Sequence, residues 1–204
     1  LCYADLAGGR PRTVRGHRNV LYPTPVDSAG LAWVEYNPDG RYVIVRRRPG
    51  WGVQRYEMER LTELHGLAWD NATRRLYFLV TDDSGMWIGT LDDFGRVRHV
   101  TEGAYVTLSD LRAADGRLYF GSIASGKDEA HCLDLGSGGQ YRLTTSRYGS
   151  FSPSPDTQGD VLVTTYDRRG YRPAVQPFRP ECSARRVFRR SGGHIPGIFP
   201  IFAV

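Results

Sequence analysis

Arg75-Leu76-Tyr77-Phe78 recurs 42 residues later as Arg117-Leu118-Tyr119-Phe120, and the reading of this repeat decides the fold. A further step of 43 reaches Asp160-Val161-Leu162-Val163, and a step back of 45 from Arg75 reaches Gly30-Leu31-Ala32-Trp33. Each run is preceded by a turn-forming cluster: Val26-Asp27-Ser28-Ala29, Asp70-Asn71-Ala72-Thr73, Ala114-Asp115-Gly116 and Asp156-Thr157-Gln158-Gly159. Aromatic and β-branched side chains suit a pleated strand, whereas Asp, Asn and Gly tolerate the positive φ of tight turns. Four registers therefore agree on strand after turn.

The segments C-terminal to these runs repeat as well. Asp82-Asp83-Ser84-Gly85 leads into Met86–Leu91, then Asp92-Asp93-Phe94-Gly95 into Arg96–Thr101. Ser125–Glu129 leads into Ala130–Leu135, then Gly136-Ser137-Gly138-Gly139 into Gln140–Thr145. In the earlier unit Asn37-Pro38-Asp39-Gly40 opens Arg41–Arg48, and Pro49-Gly50-Trp51-Gly52 opens Val53–Met58. With the runs Asn19–Pro23, Leu64–Trp69, Tyr105–Leu111 and Ser150–Pro155 placed before the turn clusters, each unit of about 43 residues holds four antiparallel strands joined by hairpins.

Four short strands at that period describe the blade of a β-propeller. An isolated four-stranded sheet exposes two apolar faces, and radial packing of blades covers both while leaving only short outer edges. A helical solenoid would need apolar residues at 3.6-residue spacing, which only Val53, Tyr56, Leu61 and Leu64 partly offer. The expected fold is thus all-β, with about four to five blades present. The boundaries expected are a partial blade 1–18, blades 19–63, 64–104 and 105–149, and a partial blade 150–178. Leu1–Leu6 resembles His131–Leu135, and Arg12–Arg15 would be the outer strand of that first partial blade. Tyr171–Gln176 would be a third strand, Arg186–Arg189 a fourth, and residues 179–204 a basic segment opening a further unit.

Composition removes other classes. The chain has 204 residues with 40% hydrophobic and 12% aromatic content, enough for one sizeable core and too rich in large apolar residues for disorder. No run reaches the roughly 20 apolar residues of a spanning helix, so no membrane span is expected. The net charge of +5 is uneven: Arg179, Arg185, Arg186, Arg189 and Arg190 against Glu181 give +4 to residues 179–204, leaving +1 for the rest. A body so nearly neutral argues against nucleic acid. Cys2, Cys132 and Cys182 form no CxxC pair, and Cys132 in an apolar run reads as a buried free thiol.

The segments Tyr22-Pro23-Thr24-Pro25 with Gly30–Val34, and Phe151–Asp156 with Gly159–Val163, resemble degenerate copies of a Ser-Pro-Asp-Gly element that leads into a short apolar run. Leu133-Asp134-Leu135-Gly136-Ser137-Gly138-Gly139-Gln140-Tyr141-Arg142-Leu143-Thr144 resembles an outer hairpin of the same family. These are features of the TolB-like, or WD-repeat-like, bacterial β-propellers. The resemblance implies a propeller of six to eight blades, in a bacterial envelope or secreted protein, of which this chain would be a fragment; the alternative is a five-bladed ring closed by pairing the C-terminal strands with Leu1–Arg15. It implies protein-interaction, glycan-binding or peptidase-gating roles.

Propeller ligands sit at the channel mouth, lined by the starts of the innermost strands and the loops joining blades. Those starts are Val20–Tyr22, His65–Leu67, Thr107–Ser109 and Ser150–Ser152, and the loops include Gly16–Asn19, Glu102–Tyr105 and Ser146–Gly149. His17, Arg18, His65, Arg147 and Tyr148 form the candidate rim, expected to take a protein tail or a glycan. No catalytic residue, metal site or cofactor is expected. His65 has no Gly-x-Ser-x-Gly serine beside it, and Asp82-Asp83 and Asp92-Asp93 fall at turns without the spacing of a calcium loop. The leading expectation is a non-catalytic binding module. The alternative is the substrate-gating propeller of a prolyl-oligopeptidase-like serine peptidase whose catalytic domain lies elsewhere.

Overall fold

The structure is a computed structural model that describes residues 2–3, 8–13, 16, 19–92 and 94–178. The described residues form strands and turns with no helix. His17, Arg18, Asp93 and the segment 179–204 lie outside them, and with the last the fourth strand and further unit expected there. The chain divides into two compact units after Leu64.

The first unit holds an antiparallel pair, β1 (Cys2–Tyr3) with β2 (Arg12–Thr13), and one meander of β3 (Val20–Val26), β4 (Gly30–Tyr36), β5 (Tyr42–Arg48) and β6 (Gly52–Glu57). The stretch from Val53 that partly fits a helical period is strand β6, because Val53, Arg55 and Glu57 pair with Arg47, Val45 and Val43 of the buried β5. Trp33, Val43 and Val45 share one face of the meander. On that face Trp33 Nε1 donates to Glu35 Oε1 at 2.8 Å and Arg55 Nη2 to Glu35 Oε2 at 2.7 Å, so a buried carboxylate has partners on both oxygens. On the other face the buried Arg46 guanidinium donates to Gln54 Oε1 at 3.1 Å and to Tyr56 Oη at 3.1 Å.

The second unit contains three sheets. The first is β7 (Glu63–Asp70), β8 (Arg75–Asp82), β9 (Gly85–Leu91) and β10 (Val97–His99). The second is β11 (Leu108–Ala114), β12 (Arg117–Ser122), β13 (Glu129–Asp134) and β14 (Gln140–Arg142). The third has three strands, β15 (Ser150–Pro155), β16 (Val161–Asp167) and β17 (Gly170–Gln176). Every sheet is a meander with neighbours antiparallel, as the turn clusters dictate. β11 begins three residues after the expected Tyr105, because the residues before it bridge back to the preceding sheet: Met86 N donates to Ala104 O at 2.8 Å.

The two faces of the middle sheet show how the unit is held. Leu118, Phe120 and Leu133 join Tyr77, Leu79 and Ile88 of the first sheet in one apolar cluster. Tyr119, Ala130 and Cys132, one residue out of phase on the same strands, join Val161 and Val163 of the third sheet in another. Strand alternation sends successive side chains to opposite seams, and each seam buries apolar area worth about 25 cal/mol per Å². Cys132 is the buried thiol expected, its ionisation pushed up to about 12 by that burial.

The third sheet breaks this symmetry. Leu162 and Val175 align with Tyr119 and Cys132 at a step of 43. The earlier pair is 2% and 0% exposed, the later pair 48% and 62%. One face of this sheet is therefore covered by its predecessor, and the other is open from Val175 and Leu162 up to Tyr166 and Tyr171.

Candidate functional site

The antiparallel meanders place the starts of β7, β11 and β15 at the same end as the hairpins β8–β9, β12–β13 and β16–β17. Backbone hydrogen bonds tie the joining loops to these hairpins. Ser150 N donates to Asp128 O at 2.8 Å, Ile123 N to Thr107 O at 3.3 Å and Tyr166 N to Gly149 O at 3.3 Å. Tyr105 Oη donates to Asp83 O at 2.7 Å. Asp82 caps its hairpin, accepting from Ser84 N at 2.8 Å and Trp87 Nε1 at 2.7 Å. Burial alone would raise the Asp82 carboxyl, but these hydrogen bonds outweigh it and hold it below the usual carboxylate range. Asp82 thus serves its turn, and Asp92 likewise accepts from Phe94 N and Arg96 N.

Among the residues the sequence singles out, Arg147 and Tyr148 come together. The Arg147 guanidinium carbon lies 5.1 Å from the Tyr148 ring centroid, a cation–π distance. Their loop is anchored by Glu129, whose fully buried carboxylate accepts from Ser146 N at 3.1 Å and from the Thr144 hydroxyl. Lys127 Nζ sits 3.3 Å from the same carboxylate and donates to Ser146 O, while Ser146 Oγ accepts from Gly149 N at 2.9 Å. A buried charge persists only when paired and hydrogen-bonded, and here the pairing fixes the loop backbone. His65 lies on β7 in the first sheet of the unit, its Nε2 2.9 Å from Thr81 Oγ1. His17 and Arg18 fall outside the described residues.

Tyr148 continues into a wider aromatic shelf. Its ring meets Tyr166 edge-on at 6.5 Å, Tyr166 meets Tyr171 at 4.9 Å, and Tyr171 meets Phe151 at 5.8 Å. Tyr166 and Tyr171 are direct cross-strand partners on β16 and β17, so the hairpin sets the shelf as it forms. Sequence reading missed Tyr166 and Tyr171, whose signal was present: two tyrosines flanking a four-residue turn fall on one sheet face.

A second feature had no sequence signature. Tyr22, Asp110 and Ser152 occupy aligned positions in β3, β11 and β15, each with φ near +50° and each inside a β-bulge. Left-handed φ at such residues costs of order 1 kcal/mol each, which the surrounding sheet must offset. In the second unit the bulges converge: Ser152 Oγ donates to Asp110 Oδ2 at 3.0 Å, joining the first strands of neighbouring sheets. These first strands therefore form the inner edge, as blades require. Among the described residues no group of three or more His, Cys, Asp or Glu side chains is arranged to hold a metal ion.

Solved structures share this arrangement of sheets. TolB from Acinetobacter baumannii aligns over 86% of this chain and 45% of its own, with 19% identity and a TM-score of 0.70. A protein described as TolB from Agrobacterium tumefaciens aligns over 69% of this chain and 52% of its own, with 21% identity and a TM-score of 0.57. The β-propeller domain of the trilobed protease from Pyrococcus furiosus aligns over 85% of this chain and 71% of its own, with 13% identity and a TM-score of 0.53. The fold is that of a TolB-like β-propeller, present in part. The chain spans about half the length of the two TolB structures. No protein-family profile matches the sequence, and no curated protein matches it. No helix among the described residues is long and apolar enough to cross a membrane.

Proposed function

We propose that this chain is a non-catalytic β-propeller module that binds a protein or glycan ligand at the end of its blades, in a bacterial envelope or secreted protein. The observation that carries the reading is the solvent-facing shelf of Tyr148, Tyr166 and Tyr171 beside Arg147, with Arg147 and Tyr148 on a loop whose backbone is pinned by a buried carboxylate and the other two tyrosines on the β16–β17 hairpin. Tyrosine supplies contact area at low entropic cost, arginine supplies hydrogen bonds, and a rigid scaffold lowers the ordering penalty of association. His65, on β7 of the same unit, would extend the rim.

The test is to probe the full chain against a peptide array and a glycan array, and to repeat the screen with Arg147→Ala/Tyr148→Ala. Binders whose retention falls about tenfold in the double variant support the reading. Binders insensitive to the double variant and to Tyr171→Ala would remove it.

The second reading is a gating propeller for a serine peptidase domain. It draws support from the propeller domain of the trilobed protease, with which the chain shares its fold. No Gly-x-Ser-x-Gly element occurs in the 204 residues, so the nucleophile would have to lie on another segment. A hydrolase domain encoded in the same reading frame would decide for it.

A further inference from the structure

The aromatic shelf is bordered by an unusual charge arrangement. The turn between Tyr166 and Tyr171 is Asp167-Arg168-Arg169-Gly170, with Arg172 just beyond it. Arg147 adds a fourth guanidinium from the joining loop. Four arginines against Asp167 leave +3 around three exposed tyrosines, whereas the whole of residues 1–178 carries +1.

The pairing within this group is lopsided. Asp167 accepts from Arg169 N at 2.7 Å and lies 3.5 Å from Arg172 Nη2, so its charge serves the turn and one guanidinium. Among the described residues, the guanidinium groups of Arg147, Arg168 and Arg169 have no carboxylate partner, and all three residues are exposed. Elsewhere in the same unit Arg117 is paired with Asp134 at 3.2 Å. Guanidinium groups offer planar, bidentate geometry to carboxylates, and tyrosines 69%, 50% and 44% exposed (Tyr171, Tyr148 and Tyr166) give a flat surface for an extended chain.

Resting on the binding reading above, we infer that the partner at this rim is an acidic, extended peptide segment, its carboxylates taken by Arg147, Arg168 and Arg169 while its apolar side chains lie on Tyr148, Tyr166 and Tyr171. A neutral glycan would use the tyrosines and leave the three guanidinium groups idle. A second copy of this chain would instead use the lower part of the same face, where Leu162 and Val175 are exposed.

The experiment uses the full chain and a fluorescein-labelled octapeptide of alternating glutamate and tyrosine, with its lysine-for-glutamate counterpart as control, read by fluorescence anisotropy. Binding of the glutamate peptide, weakened about tenfold or more between about 50 mM and 300 mM NaCl and again by Arg168→Glu/Arg169→Glu, supports the inference. Equal binding of the lysine peptide overturns it. So does indifference to charge reversal while Tyr148→Ala/Tyr171→Ala abolishes binding of a peptide or glycan, and in that case the rim reading above survives. Indifference to both sets of substitutions overturns both readings. Sedimentation showing a dimer that Leu162→Lys/Val175→Lys dissociates, with no peptide binding by the monomer, assigns the face to a second copy and also overturns it. The substitutions are at exposed positions, and an unchanged thermal midpoint verifies that each variant is folded.

Discussion

Acidification should loosen the seam between the first two sheets of the second unit through one residue, His131. Its ring stacks on Phe120 at 5.8 Å, it is only 9% exposed, and its Nε2 has no hydrogen-bond partner among the described residues. Burial, with the Arg142 charge across the strand pair adding to it, pushes the imidazole down to about 4. In the unfolded chain the same group titrates near 6.5. Because the folded value is the lower one, the unfolded chain binds the extra proton. Stability is therefore fully present above about 6.5 and is lost as pH falls toward 4. Linkage over pH 7 to 5 gives a loss of about 2 kcal/mol, from roughly 1.4 kcal/mol for each pH unit in which only the unfolded state is protonated. Urea denaturation of the chain and of His131→Gln at the two pH values measures it. The natural chain should lose about 2 kcal/mol more than the variant across that interval. The remaining histidines are common to both proteins, so the difference isolates this residue. Parallel pH dependence in the two proteins would refute the reasoning, whatever their absolute stabilities.

Three other outcomes are expected. Glu129→Ala should cost about 3 kcal/mol, because it leaves the Lys127 ammonium and the Ser146 amide without their shared acceptor, and hydrogen exchange at Ser146 should quicken beyond the global loss. Leu79→Ala, at a fully buried position of the first seam, should cost roughly 2 to 5 kcal/mol in urea, while Leu162→Ala on the open face should cost under about 1 kcal/mol. Thiol titration of the folded chain at pH 8 should leave Cys132 unmodified, since its ionisation is pushed up to about 12, and the exposed Cys2 should react.

The repeat was legible because its punctuation is chemical. Asp82 and Asp92 cap their turns with the side-chain hydrogen bonds that make aspartate favourable there, and Gly116 and Gly159 adopt φ of +74° and +90°. Alternation along Leu118-Tyr119-Phe120 likewise foretold two faces, and the structure sends these residues to different seams. The bulges were not legible. Tyr, Asp and Ser share no preference strong enough to announce left-handed φ, and the sheet imposes it. Nor could sequence show that Leu162 stands open while Tyr119 is closed, since both sit in equivalent apolar runs and differ only in what lies across from them. Arg147 and Tyr148 stand out in the sequence by their place in a joining loop, and the structure sets their side chains against each other. Tyr166 and Tyr171 were missed because strand starts and joining loops do not reach the far side of the next hairpin.

The bond from Ser152 to Asp110 spans 42 residues, one full period. Within the second unit, each interior side chain in the two apolar clusters answers only to the sheet before it or the sheet after it. An ancestral gene built this way can lengthen or shorten by whole modules without rewriting any interior. Duplication at the hairpins brings its own matched surfaces, whereas a deletion of half a module would set mismatched surfaces against each other.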